Sequence, residues 1–274
     1  MDTLTVALGQ MDIALGDPAA NLATARRLAG EARALGAELL LLPELWATGY
    51  DLERAGELAD EVGAGAFAAV SALAREHGLA IGGSLLARRP GRPTNTATLY
   101  GPDGALLAEY SKIHLFGLMA EDRFLSAGQR APVFDTPWGR GALAICYDLR
   151  FPELFRSYAT RGAGLILLPS EWPYPRLEHW RTLVRARAIE NQCFIVACNR
   201  VGRDRDNLFC GHSLAVDPWG ETLVEGGDSP ALLIAKLDLG AVVAVRNRMS
   251  VLRDRRPELY EFGVENSGFG RAEQ

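Results

Sequence analysis

The chain has no CxxC pair, no GxGxxG after its first strand-like run, no HxxxH, and no apolar stretch that reaches membrane-spanning length without charges. Each absence removes a class. Four cysteines in 274 residues (Cys146, Cys193, Cys198 and Cys210) have neither the spacing of zinc or dithiol sites nor the density of a disulfide scaffold, so they read as reduced thiols in a cytoplasm. Basic residues do not outnumber acidic ones, at 29 against 34, and the net charge of −5 argues against a nucleic-acid partner, which needs a basic face. A small-molecule partner is expected instead. The four histidines lack ligand spacing and read as structural or surface groups, with no metal site. Without a glycine-rich fingerprint, and with only Gly63-Ala-Gly65 to suggest one, a dinucleotide-binding protein is disfavoured. The N-terminus lacks the basic start and apolar stretch of a secretory signal, so a soluble, unprocessed protein with no membrane partner is expected.

What the chain does have is 48% hydrophobic residues, enough for one large core or two fused halves. Short β-rich runs alternate with helical patterns. Leu4–Gln10 reads as a strand; the following helix sets Leu22, Ala25, Leu28, Ala32 and Leu35 on one face, with Gly36 at its C-terminus; a buried strand, Glu38–Pro43, comes next. The segment Gly36-Ala-Glu-Leu-Leu-Leu-Leu-Pro-Glu-Leu-Trp46 then recurs 126 positions later as Gly162-Ala-Gly-Leu-Ile-Leu-Leu-Pro-Ser-Glu-Trp172. Each copy precedes a helix (65–77 and 178–191), a strand (79–86 and 193–200) and a hairpin turn, Gly-Pro-Asp-Gly at 101–104 and Asp-Pro-Trp-Gly at 217–220. Each half is thus β-α-β-α-β plus a hairpin. A sheet with helices on one face must cover its other face, and the other half's sheet is the nearest cover. The fold expected is a four-layer α-β-β-α sandwich with internal pseudo-two-fold symmetry, one domain over 1–274 with a C-terminal tail from about residue 250. Two independent domains would need a spacer near 125–140, and none is present.

Cys146 ends the run Gly141-Ala-Leu-Ala-Ile-Cys146, and Tyr147-Asp-Leu-Arg-Phe-Pro152 turns the chain into a helix with proline in its first turn. A side chain at such an elbow is expected to be exposed above the sheet edge, and the N–H groups that follow can hold a developing oxyanion. The plain alternative is a small core cysteine, which is the reading adopted for Cys193 and Cys198 inside a strand. An unperturbed thiol is only a few per cent thiolate at neutral pH and needs a base or a cation beside it. Glu44, directly after Leu-Leu-Leu-Leu-Pro43, and Lys112, in Tyr-Ser-Lys-Ile-His, are the candidates, Glu44 by the repeat at the same sheet edge as Cys146. A lysine in Lys112's place is otherwise merely solvated.

Leu-Leu-Pro-Glu44, Tyr-Ser-Lys112-Ile-His and Ala-Ile-Cys146-Tyr-Asp-Leu-Arg-Phe-Pro-Glu153 resemble the three signature segments of the nitrilase, or carbon-nitrogen hydrolase, superfamily, in the family's order and over nearly the whole chain. The resemblance implies the same α-β-β-α fold, a homodimer, and a triad of Glu44 as general base, Lys112 as oxyanion stabiliser and Cys146 as nucleophile, with Glu121 matching a further active-site glutamate. It also implies an amidase working through a thioester, with the Tyr147 backbone N–H beside the oxyanion and no metal or organic cofactor. The Trp-Pro and Arg-Ala-Arg-Ala-Ile-Glu-Asn-Gln segments look most like the ω-amidase branch, which acts on 2-oxoglutaramate and 2-oxosuccinamate. Such a substrate carries a carboxylate that needs a cation, for which Arg150 is the candidate, its alternative being an ion pair with Glu153. Tyr50 and Trp172 are placed in the pocket, or else in the core. Deaminated glutathione and N-carbamoyl compounds are rival substrates within the superfamily, and a non-catalytic binding protein is the rival outside it.

Overall fold

The computed structural model describes residues 3–260. Twelve strands form two six-stranded sheets. In chain order the elements are β1 (Thr3–Gln10), α1 (Pro18–Ala34), β2 (Leu39–Leu41), α2 (Ala55–Leu58), α3 (Gly65–His77), β3 (Ala80–Ala87), β4 (Thr94–Tyr100), β5 (Leu106–Ser111), α4 (Glu121–Phe124), β6 (Val133–Thr136), β7 (Gly139–Leu143), α5 (Pro152–Thr160), β8 (Leu165–Ser170), α6 (Leu177–Asn191), β9 (Phe194–Asn199), β10 (Leu214–Val216), β11 (Thr222–Glu225), β12 (Ala231–Asp238) and α7 (Gly240–Arg248). The first sheet runs β12-β1-β2-β3-β4-β5 and the second β11-β10-β9-β8-β7-β6. Three parallel strands lie at the middle of each, β1-β2-β3 and β7-β8-β9, joined by the helical crossovers that parallel pairing requires. A hairpin extends each at one side, so the halves are related as the repeat implies.

Period-two alternation decides which face each strand turns to the other sheet. Leu39 and Leu41 of β2, with Leu4, Val6 and Leu8 of β1, belong to a core that continues through both faces of the second sheet, with Leu165, Ile166, Val196 and Ala197, to Phe155 of α5 and Trp180 and Val184 of α6. Leu40, Leu42 and Ala7 point the other way, into a second core with Ala25, Leu28 and Ala32 of α1 and Phe67, Val70 and Leu73 of α3. Each such fully buried leucine is worth about 1.5–3 kcal/mol. The molecule is therefore a four-layer α-β-β-α sandwich. α1 is capped by the Asp17 side chain at its start, and Gly36 takes the left-handed φ of 79° just past its end.

Two features differ from the sequence reading. Leu35, assigned to the buried face of α1, is 60% exposed, because the helix has already ended there and turns away from the sheet. The chain does not finish with the second hairpin: β12 crosses back to pair antiparallel with β1 along its whole length, and β6 closes the matching edge beside β7. The expected tail from about 250 enters the described residues only as far as 260, and the remainder lies outside them. No helix among the described residues is long and apolar enough to cross a membrane.

Candidate active site

The two copies of the repeat meet end to end: the backbone N–H of Glu44 donates to Ser170 O, its counterpart in the second half, at 3.4 Å. Glu44 leaves the end of β2, Lys112 the end of β5, and Cys146 the end of β7. At both elbows a non-glycine residue sits in the left-handed region, Leu45 at φ 41° and Cys146 at φ 42°, a conformation that costs of order 1 kcal/mol or more and is kept where geometry demands it. Gly128 has a similar local reason. A Cβ there would lie 2.0 Å from Ser111 O, and its N–H donates to Lys112 O at 2.8 Å, so a glycine lets the following loop clasp the strand end that carries Lys112.

Glu44, Lys112 and Glu121 are all buried, and Cys146, expected to stand exposed at its elbow, is only 4% exposed because the walls of a small cavity close over it. Lys112 Nζ donates to Glu44 Oε1 and to Glu121 Oε1, both at 2.7 Å, and lies 3.4 Å from the Tyr50 hydroxyl. Its three protons therefore have three acceptors. Glu44 Oε1 also accepts from Asn95 Nδ2 at 2.7 Å, and Oε2 accepts from the Glu171 backbone N–H at 2.9 Å. Glu121 Oε2 accepts from the Phe116 N–H at 2.6 Å. The Tyr50 hydroxyl stands 2.9 Å from Glu44 and 2.8 Å from Glu121, with one proton for the two of them. Burial pulls the Lys112 ammonium down, but Glu121, Glu44 and the nearby Cys146 together carry it above the usual lysine range, so it stays charged. Burial pushes the Glu121 carboxyl up against the pull of Lys112, with Glu44 adding to the rise. Burial, and then the Glu44 charge, also push the Cys146 thiol well above its ordinary value, while Lys112 and the Glu171 N–H draw it back. The resting sulfur is thus a thiol beside a carboxylate.

Cys146 opens onto a small cavity walled by Phe116, Tyr147, Arg150, Trp172, Pro173 and Arg176. Arg150 Cζ lies 4.7 Å from the Trp172 ring centroid, and Arg176 Cζ lies 5.7 Å from that of Phe116. The Trp172 indole N–H donates to Arg176 O at 2.8 Å, fixing that wall. Among the described residues Arg150 pairs with no carboxylate, Glu153 included; its one side-chain polar neighbour is His179 Nδ1 at 3.4 Å. Tyr50 is not on this cavity. It lies against the two carboxylates and lines a separate space of about 270 Å³ with Asp51, Phe124 and Asp204.

Several groups that hold this arrangement escaped the sequence reading. Buried Asp148 accepts from Ile145 N–H (2.9 Å), Tyr110 OH (2.7 Å) and His114 N–H (3.1 Å), tying the Cys146 elbow to both sides of Lys112. The signal was present in the motifs, since Tyr110 and His114 flank Lys112 at two residues either side and Asp148 follows Cys146 by two. Glu171 is also buried, its Oε2 accepting from Arg200 Nη1 at 2.9 Å while Oε1 has no partner among the described residues. Arg200 reaches on to Ile13 O and Asp12 of the first half. Burial is the main reason the Glu171 carboxyl is pushed up to about 8, against the pull of Arg200.

Glu171 therefore holds its proton in the fold up to about pH 8, whereas the unfolded chain releases it near the ordinary 4.5, so the folded state binds more protons across that interval and this group's contribution to stability declines as pH rises through it. Arg200→Met is expected to cost about 3–5 kcal/mol by stranding Glu171, less at pH 5 where Glu171 is neutral than at pH 8.5. Chemical denaturation at the two pH values checks both the size and the sign.

Residues 5–247 match the carbon-nitrogen hydrolase family. The chain belongs to that family. Carbon-nitrogen hydrolases cut carbon–nitrogen bonds other than peptide bonds, and this one is similar to the 2-oxoglutaramate amidase of Bacillus subtilis (strain 168), 43% identical over 93% of this chain and 99% of that one. It is 33% identical to an ω-amidase of Mus musculus over 95% of this chain and 98% of that one. A solved structure of the amidase from Nesterenkonia sp. AN1, a glutamate-to-glutamine variant with acrylamide added to its active-site cysteine, matches with a TM-score of 0.84 at 32% identity, covering 93% of this chain and 98% of that one. Within this carbon-nitrogen hydrolase the sequence-predicted residues fall into two groups. Glu44, Lys112, Glu121 and Tyr50 form one hydrogen-bonded cluster. Tyr147, Arg150 and Trp172 surround the cavity on which Cys146 opens. Among the described residues no group of His, Cys, Asp and Glu side chains could hold a metal ion.

Proposed function

We propose that the chain is an ω-amidase that releases ammonia from 2-oxoglutaramate, and from the shorter 2-oxosuccinamate, with Glu44, Lys112 and Cys146 as its catalytic triad. The observation that carries the reading is a buried Cys146 thiol under the electrostatic influence of Glu44 and Lys112, themselves hydrogen-bonded to each other, at a cavity that also holds the guanidinium of Arg150 without a carboxylate partner. The names of the Bacillus and mouse relatives support the substrate, and the acrylamide adduct of the Nesterenkonia amidase supports a cysteine nucleophile.

The chemistry follows from where the protons sit. Glu44 takes the thiol proton as the Cys146 sulfur attacks the amide carbon, so no free thiolate has to accumulate at a thiol whose value burial has raised. Lys112 and the Tyr147 backbone N–H hold the oxyanion of the tetrahedral intermediate. Protonated Glu44 passes its proton to the departing nitrogen, ammonia leaves, and a thioester remains until a water activated by Glu44 hydrolyses it to the free carboxylate and the thiol. Glu121 keeps Lys112 charged and aimed, being itself fixed by the Phe116 N–H. Arg150 receives the substrate carboxylate. The reaction calls for no metal or organic cofactor. The same reading makes the chain a single-domain cytoplasmic homodimer, in keeping with four free thiols.

Ammonia release over a panel of ω-amides, N-carbamoyl compounds, deaminated glutathione and nitriles tests it. The expected result is a kcat/KM for 2-oxoglutaramate at least a hundredfold above that for butyramide. A higher value for an N-carbamoyl compound or for deaminated glutathione would overturn the substrate assignment.

A further inference from the structure

Arg176 is the one wall residue of the Cys146 cavity that carries charge and has no part in the mechanism above. It stands at the N-cap of α6 with no side-chain capping bond, where the positive end of the helix dipole disfavours a cation. Arg150 shares the wall of that cavity, where burial lowers it, Tyr147 raises it and the Arg176 charge lowers it further. Neither arginine pairs with a carboxylate among the described residues, although elsewhere Arg181 and Arg187 on the same helix do. Each is instead laid over an aromatic face, Arg150 on Trp172 and Arg176 on Phe116. Both guanidinium groups are partly exposed, so water screens them at rest, but no carboxylate among the described residues neutralises either one, and a ligand that displaces that water must supply the counter-charge. What completes the pair is an anion.

We propose that Arg150 and Arg176 form a two-point receptor for the 2-oxo carboxylate end of the substrate, and that Arg176 is the residue that makes the cavity select amides bearing a distal carboxylate. This rests on the ω-amidase reading and adds its specificity determinant. A 2-oxo acid presents a carboxylate and an adjacent carbonyl oxygen, three acceptors in one plane, and two guanidinium forks supply planar donors to match. With Trp172 and Phe116 behind them, the forks hold that end while the amide carbon lies at Cys146. The cavity as it stands is only about 10 Å³, room for about one water, so a substrate enters by displacing the long side chains at its wall, and the anion then holds them in their new place. A neutral amide lacks that compensation and leaves two unneutralised cations facing it.

The test compares the parent, Arg176→Met and Arg176→Lys. In Arg176→Met, KM for 2-oxoglutaramate should rise about ten- to a hundredfold, the loss expected for a charged hydrogen bond made equally in ground and transition states, with kcat held within about threefold. KM for butyramide should stay within about twofold or fall, and Arg176→Lys should recover part of the loss. Calorimetric titration with 2-oxoglutarate, the carboxylate product, reads the receptor without turnover and should weaken by a similar factor. Unchanged 2-oxoglutarate affinity in Arg176→Met, or an equal KM rise on butyramide, would overturn the proposal. If the parent failed to hydrolyse 2-oxoglutaramate yet bound 2-oxoglutarate in an Arg176-dependent way, the activity reading would fall and the receptor would stand.

Discussion

Cys146→Ala is expected to abolish ammonia release from every amide while unfolding within about 1 kcal/mol of the parent. The fold should tolerate the change because truncation removes a single sulfur, and alanine occupies the left-handed φ of 42° at no greater cost than cysteine. Glu44 also remains satisfied without the thiol, since Lys112, Asn95, Tyr50 and the Glu171 N–H all still reach it. Activity should not tolerate it, since no other thiol can take over. Cys193, Cys198 and Cys210 are buried, burial pushes Cys193 and Cys210 up to about 12 and Cys198 higher still, and none of the three hydrogen-bonds to a carboxylate among the described residues. Iodoacetamide, itself a small amide, should accordingly label one thiol per chain in the parent and none in the variant. Turnover within tenfold of the parent, or undiminished labelling, would remove Cys146 from the mechanism.

The sequence made the architecture legible because the repeat carried both copies of the parallel unit, and parallel strands buried on two faces write themselves as unbroken runs such as Leu-Leu-Leu-Leu-Pro. β12 and β6 have no such signature: β12 runs through four partly buried positions before it alternates buried and exposed ones at a sheet edge, and its partner is β1, more than two hundred residues away. Local pattern cannot specify a pairing that only the finished sandwich creates. The site shows the same division. Glu44 and Cys146 announced themselves by ending strands, whereas Glu171, although it too directly follows a strand, gave no sign of its buried partner Arg200, and Arg176 sits in a stretch where nothing local separates a cavity-wall arginine from a solvated one. Asp148 was readable as a spacing but not as a partner. Composition holds one further signal. Only two of the 29 basic residues are lysine, at 112 and 236. In a chain that otherwise uses arginine, a lysine next to a candidate thiol marks a place where a compact point charge with three rotatable donors fits and a planar fork does not.

That fit makes Lys112→Met the second large effect, and it should appear in two measurements at once. Removing the ammonium leaves Glu44 and Glu121, both fully buried and both facing the Tyr50 hydroxyl, without their shared cation. Stranding buried charge in this way costs about 3–5 kcal/mol, so the variant should unfold markedly earlier than the parent. Turnover should drop by about a hundredfold to a thousandfold or more, the loss typical of a missing oxyanion donor. The ammonium has three acceptors at rest, and the Tyr50 contact at 3.4 Å is the longest, so this is the proton the oxyanion would claim as it forms. The loss should then fall on kcat alike for 2-oxoglutaramate and butyramide, since the interaction strengthens only as charge develops. Adding Glu121→Gln to Lys112→Met separates the two roles. Taking away one of the two stranded carboxylates should recover much of the stability and none of the turnover. If the double variant regained turnover with its stability, Lys112 would be a charge balancer for the two glutamates and the oxyanion would rest on backbone donors alone. A raised KM confined to the carboxylate-bearing amide, with kcat intact, would instead assign Lys112 to the substrate carboxylate, displacing the Arg150 and Arg176 pair from that task.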